Sequence, residues 1–352
     1  MAKLSNILTA RSSQGPSDNF KNIIINGDMQ VAQRATSVAS LTADGYRTVD
    51  RWFNYIVTQG TWTQSVENDA PTGSGFRKSL KMLCTTADAS PASGDRLYIS
   101  QLIEGQNLQH IKKGTAAAEQ LTLSFWVKAN VTGTYIAELY DNDNTRQVSA
   151  SYTISSSATW EKKTITFPAD TTGAFDNDNA ASLELILWLG AGSGITSGTL
   201  NTTWASVTAA NRAVGQTNLA SATSNYWQIT GVQLEVGNTA TPFEFLPVQQ
   251  ELLMCQRYYQ GFKTFFGVKY PSSYVRFDIN LPVDMRVAPT VYYKDAVDNV
   301  NKISTFNTSD TRTNNRNAIA VGGTTTSTVT VLPVNSDSDA GYQIQIAVEA
   351  EL

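Results

Sequence analysis

Hydrophobic and polar positions alternate in short runs along most of this chain. Leu121 to Lys128, written LTLSFWVK, alternates well, and so do Thr134 to Tyr140, Lys163 to Phe167 and Leu183 to Leu189. Arg51 to Val57 and Arg96 to Ile103 are further runs with β-branched and aromatic residues, and Ser79 to Cys84 alternates partly. A period of two marks a strand with one face buried. The run Asn22 to Asn26, closed by Asn26-Gly27, predicts a strand followed by a turn. Gly, Asn, Asp, Ser and Pro separate the runs, and no long helical stripe precedes residue 247. This spacing predicts a jelly roll or sandwich rather than alternating strands and helices. Gly190 to Ser224 is rich in Gly, Ser, Thr and Asn and reads as a long surface loop carrying Trp204.

From Tyr226 to Gly237 the apolar positions are Trp227, Ile229, Val232, Leu234 and Val236. The phase changes at Thr230-Gly231, which predicts a β-bulge in a closing strand. The period then changes. Val248, Leu252, Cys255 and Tyr259 step by four, three and four, which is one helical stripe. Pro247 suits its first turn and Gly261 its stop. Alternation returns at Tyr274 to Leu281, in part at Ser327 to Leu332, and from Tyr342 to the last residue. The expected fold is all-β: a jelly-roll β-sandwich over 21–246, a linker helix over 247–262 and a small C-terminal β-sandwich over 263–352. Residues 1–20 are polar and are expected to be an attachment arm.

Composition narrows the function. Charged residues make up 16% of the 352 and the net charge is −4, which gives no cationic footprint for nucleic acid. No window of about 20 apolar residues predicts a membrane span. The N-terminus lacks the apolar core of a secretory signal, so synthesis in a cytosol is expected. Cys84 and Cys255 read as small buried hydrophobes. His110, the single histidine, reads as a loop residue. No phosphate loop, dinucleotide fingerprint or hydrolase elbow is present.

Asp141-Asn142-Asp143-Asn144 and Asp176-Asn177-Asp178-Asn179 offer oxygen ligands, but neither follows the calcium-loop pattern and both read as polar turns. No cofactor is expected, and a structural calcium ion has no supporting motif. Aromatics remain. Sugar rings stack their C–H faces on Trp and Tyr while amides bond the hydroxyls. Trp62, Tyr140, Trp160 and Trp204 fall at strand ends or in polar loops and are the glycan-contact candidates. Trp52, Trp126, Trp188 and Trp227 sit inside strand-like runs and are expected in the core.

The opening Asn22 to Met29, the LTLSFWVKA stretch from Leu121 and Tyr226 to Glu235 resemble strands of jelly-roll carbohydrate-binding modules. Gly231 to Gly237, Ala240 to Glu244 and Cys255 to Tyr259 together resemble a signature of tailed-bacteriophage tail-fibre and related virion proteins. Leu281 to Thr290 is similar to the opening of the C-terminal domain in that group. The resemblance implies a virion location and a homotrimer joined partly through Val248, Leu252, Cys255 and Tyr259. It also implies attachment to other tail proteins through residues 1–20, and binding to a host surface polysaccharide or protein. Calcium-binding modules of this type carry a Glu in the first turn and paired Asp in the closing strand. This chain instead has Asp28-Met29-Gln30 and Thr230-Gly231-Val232-Gln233. A connector without glycan affinity and a polysaccharide-degrading tailspike are the competing readings.

Overall fold

Alternating side chains bury one face of a strand only if a second layer covers it. The computed structural model provides that layer. It describes residues 21–270, 274–294, 319–324, 328–333 and 342–352. The expected arm over 1–20 lies outside the described residues. Two compact units emerge. Among the described residues, one comprises those up to Gln30, Thr36–Arg47 and Trp52–Leu246; the other comprises Val31–Ala35, Thr48–Arg51 and those from Pro247 onward.

The first unit contains β1 (Ser37–Leu41), β2 (Gly45–Tyr46), β3 (Phe53–Val57), β4 (Thr61–Glu67), β5 (Ser79–Thr86), β6 (Arg96–Glu104), β7 (Leu121–Ala129), β8 (Gly133–Asp141), β9 (Arg146–Ile154), β10 (Glu161–Phe167), β11 (Ala181–Ala191), β12 (Ala205–Ser206) and β13 (Tyr226–Val236). They make two antiparallel sheets, ordered β1-β4-β5-β13-β7-β10 and β12-β9-β8-β11-β6-β3-β2. Between them lies the core, with Trp62, Met82, Phe125, Trp227, Leu139, Leu185 and Leu187 fully buried. Phe125 meets Tyr152 edge to face across the layers, with centroids 5.1 Å apart.

The bulge appears where the phase change placed it. Register between β13 and β7 slips between Thr230 and Gln233. Gly231 sits there at φ +63, and a Cβ on it would come within 2.4 Å of Phe76 Cζ. Only glycine fits both demands.

Two strand expectations need correction. Asn22 to Asn26 is not part of a strand. The Gln101 side chain takes the place of a ladder there: its Oε1 accepts from Ile25 N at 2.8 Å and its Nε2 donates to Ile25 O at 2.9 Å. Trp126 is not core. Its neighbours Phe125 and Val127 are fully buried, whereas Trp126 and Lys128 are half-buried on the opposite face of β7.

The 190–224 stretch is more than a surface loop. It contains the short helix α1 (Ser193–Thr196) and puts Ile195 and Ala213 against Tyr98, Ile136, Ile186 and Trp188. Those four side chains lie on the outer face of the seven-stranded sheet. Covering from both sides explains why the alternating β11 run LELILWL also carries Ile186 and Trp188 on its outer face.

In the second unit, helix α2 (Val248–Gln256) leads into β14 (Tyr259–Tyr270). The helix is shorter than the Pro247 to Gly261 span, since Tyr259 already pairs with Glu349 and Gly261 lies within the strand. With β15 (Tyr274–Asn280), β16 (Thr290–Lys294), β17 (Ile319–Thr324), β18 (Thr328–Pro333) and β19 (Tyr342–Glu349), it forms a sheet ordered β16-β19-β14-β15-β18-β17. The terminal strand β19 pairs on both sides.

Candidate functional site

The outer face of the seven-stranded sheet concentrates the unusual chemistry of the first unit. Alternation on β8 and β11 turns Glu138, Tyr140, Glu184 and Trp188 to this face, and β3 and β6 add Tyr55 and Tyr98. Tyr55 stacks on Tyr98 with centroids 4.6 Å apart and planes 2° from parallel. Tyr98 meets Trp188 edge to face at 4.9 Å.

Glu138 is fully buried. Its Oε1 accepts from Arg212 Nε at 2.8 Å and its Oε2 accepts from Trp188 Nε1 at 2.8 Å. Arg212 comes from the covering segment, and its guanidinium lies 5.0 Å from the Tyr140 ring and 5.4 Å from that of Trp188. Its carbonyl accepts from Ser149 Oγ at 2.9 Å, which anchors the segment a second time. A carboxylate enclosed in this way is tolerated because each oxygen has a donor and its charge has a partner.

Glu184 behaves differently. Burial pushes its carboxyl up to about 7; the Ser100 hydroxyl and Arg212 oppose the rise, and the Glu138 charge adds to it. It pairs across β11 and β8 with Tyr140, and Tyr140 pairs in turn with Gln147. The Gln147 amide is buried with no hydrogen-bond partner at either end. Tyr55, Tyr140 and Glu184 are half-buried at the margin of the covered area, Tyr140 beside Glu184 and Tyr55 three strands away from Tyr140 beside Tyr98.

The four glycan-contact candidates part company. Trp62 is a correction: it is fully buried and its Nε1 donates to Gln59 O at 2.7 Å. A ring enclosed in the core offers no stacking face. Tyr140 belongs to the margin just described. Trp160 lies half-buried against the other sheet, its Nε1 donating to Asp69 Oδ1 at 3.2 Å. Asp69 also accepts from Lys128 and from Gln228, so the indole is held in one orientation. Trp204 Nε1 donates to Pro168 O at 2.8 Å, beside the Lys113 ammonium 5.2 Å from its ring. The candidates are thus spread over separate surfaces. Glu184, Arg212 and Tyr55 were missed because nothing local marks them; their role comes from strand order.

The acidic turn at Asp141 has an internal cation. Lys113 Nζ contacts Asp141, sits 3.1 Å from Asp170 Oδ2, and donates to Thr172 O at 3.0 Å and Gly173 O at 2.7 Å. Asp176 N donates to Asp143 Oδ2 at 2.9 Å, tying the second turn to the first. Among the described residues no group of three or more His, Cys, Asp or Glu is placed to hold a metal. Cys84 and Cys255 are both free and buried.

No known protein family matches this sequence, and no curated protein matches it. Solved structures show partial likenesses. One is the enzymatically active domain of tailspike protein 4 of bacteriophage CBA120, at 16% identity and TM-score 0.33, covering 61% of this chain. The chain spans 21% of that tailspike's length. A second is TmCBM61 in complex with beta-1,4-galactotriose, at 9% identity and TM-score 0.31, with 61% of this chain and 98% of that one covered. A third is the tripod from the baseplate of bacteriophage Tuc2009, at 12% identity and TM-score 0.27, covering 63% and 57%.

In the second unit, the stripe proposed for subunit contact is also corrected in part. Cys255 is fully buried and Tyr259 is 6% exposed, so both are used within their own unit. Val248 is 63% exposed and Leu252 is half-buried, which leaves these two available. No described helix is long and apolar enough to cross a membrane.

Proposed function

We propose that this chain is a non-catalytic, glycan-binding component of a bacteriophage tail appendage, assembled as a homotrimer. The observation that carries the glycan reading is the margin of Tyr55, Tyr140 and Glu184 beside the covering segment. Two half-buried rings can stack on sugar C–H faces, and the Glu184 carboxyl beside Tyr140 can exchange hydrogen bonds with hydroxyls. The ligand is a host surface polysaccharide, and repeated copies of the chain multiply weak contacts.

The non-catalytic part rests on Glu138. Most glycoside hydrolases use two carboxyls that both reach the sugar. Glu138 has both oxygens engaged by Arg212 and Trp188 inside the fold, which leaves Glu184 as the reachable member of the pair. Trimer formation and the attachment role of residues 1–20 follow the sequence signature around Gly231 to Tyr259.

Affinity electrophoresis through host surface polysaccharide tests the binding. The wild-type chain is expected to be retarded, and Tyr140→Ala and Tyr55→Ala each to lose most of that retardation while still showing a cooperative melting transition. Equal retardation of all three would refute the assignment of the margin. Release of new reducing ends from the polysaccharide would refute the non-catalytic reading, and sedimentation as a monomer at micromolar concentration would refute the trimer.

A further inference from the structure

A second concavity in the first unit, lined by none of the residues of the tyrosine margin, has unspent polar groups. Its volume is about 470 Å³, and Gln30, Asn68, Thr72, Phe76, Arg77 and Lys78 line it. Two of these are cationic, and no carboxylate is among the lining residues. Lys78 Nζ makes one long hydrogen bond, to Gln30 O at 3.4 Å. Among the described residues, the side chains of Gln30, Asn68, Thr72 and Arg77 make none. Asp28 is the carboxyl that feels the Lys78 charge, but it is not part of the lining, and burial raises its pKa.

The Phe76 wall and the turn before it are held in place. Phe76 packs on Phe243 at 4.9 Å and on Phe245 at 5.0 Å, with Gly231 directly behind its ring. The turn before it is closed by Ser74, whose N donates to Pro71 O at 3.2 Å and whose Oγ donates to the same oxygen at 2.5 Å. A pocket shaped before its ligand arrives spends less on ordering.

We infer that this pocket binds an acidic saccharide, with Arg77 and Lys78 taking its carboxylate. The guanidinium fork matches a carboxylate with two parallel hydrogen bonds, and the ammonium adds a second cation. Gln30, Asn68 and Thr72 supply donors and acceptors for hydroxyls, and the Phe76 ring supplies an apolar face for ring C–H groups. A neutral sugar would leave both cations without a counter-charge. A small inorganic anion would leave the amides and the aromatic ring unused.

Calorimetric titration of the full chain with sodium glucuronate tests this, with glucose and sodium phosphate as comparison ligands. Saturable glucuronate binding is expected, at least tenfold tighter than glucose. Arg77→Gln and Lys78→Gln are each expected to weaken it about tenfold, the loss of one charge-assisted contact. Unchanged melting in Arg77→Gln, a surface change, confirms that the fold is intact. Tyr140→Ala, which tests the other surface, is expected to leave glucuronate binding alone. Glucuronate that fails to saturate, or binds the double variant as it binds wild type, overturns the pocket. Phosphate bound as tightly as glucuronate overturns its saccharide character.

Discussion

Arg51 donates to the Glu351 carboxylate although 300 residues separate them in sequence. Both belong to the second unit, and both side chains are almost completely buried, at 1% and 6% exposure. The Arg51 guanidinium lies 3.5 Å from the centroid of the Tyr258 ring, and Arg34 reaches the other Glu351 oxygen at 3.1 Å. The last residues of the chain are therefore fastened to the Val31–Ala35 and Thr48–Arg51 segments. Removing one member leaves a buried charge uncompensated. Glu351→Ala is expected to lower the stability of the second unit by about 3–5 kcal/mol. Urea unfolding with a probe in that unit measures it. A loss under about 1 kcal/mol, the range of exposed ion pairs, would mean that the pair is solvated.

Glu184 makes stability depend on pH near neutrality. Its folded pKa is about 7, raised from 4.5 chiefly by burial. The folded state therefore holds the proton more tightly than the unfolded state. The stabilisation is complete below the unfolded value and is lost as pH rises through about 7. A shift of this size corresponds to about 3 kcal/mol at most. Chemical denaturation at several pH values between about 5 and 8 should show wild type weakening toward alkaline pH. Glu184→Gln should flatten that slope. Parallel curves for the two proteins would place the titration elsewhere.

Lys113 serves as the internal cation for two carboxylates. Asp141 and Asp170 side chains are 0% and 4% exposed, so a neutral replacement strands negative charge out of water. Lys113→Met keeps most of the side-chain volume and removes the ammonium. It is expected to cost about 3–5 kcal/mol, although Arg146 still bonds Asp170 at 2.8 and 2.9 Å. The midpoint of thermal unfolding is the readout, and an unchanged midpoint would contradict the assignment.

Gly231→Ala is expected to destabilise the first unit by about 2 kcal/mol or more, from left-handed backbone strain together with overpacking. The added Cβ would meet the Phe76 ring edge at 2.4 Å, so Phe76 must move. Gly231→Ala combined with Phe76→Ala should recover the packing part of the loss and retain the backbone part. Full recovery would show that φ +63 carries no strain at this site.

Much of the strand pattern is visible in the sequence because period two is a local property. LTLSFWVKA alternates whichever strand it pairs with. The bulge at Gly231 is equally local, since an out-of-phase apolar set and a glycine coincide. Local pattern also announced the helix after Pro247, though not its end, because β-pairing with Glu349 claims Tyr259. Which face of a strand meets solvent is not local. Trp126 and Trp188 both sit in alternating runs. One lies half-buried on an open sheet face; the other is enclosed because the 190–224 segment folds over its outer face. Partner choice is decided at the same level. Glu138 finds Arg212 from 74 residues away, and Arg51 finds Glu351 from 300. A single sequence records each charge but not the distance between them in space. Burial and pairing of those charges, and with them the tyrosine margin and the Arg77–Lys78 pocket, are set only when the strands take their order.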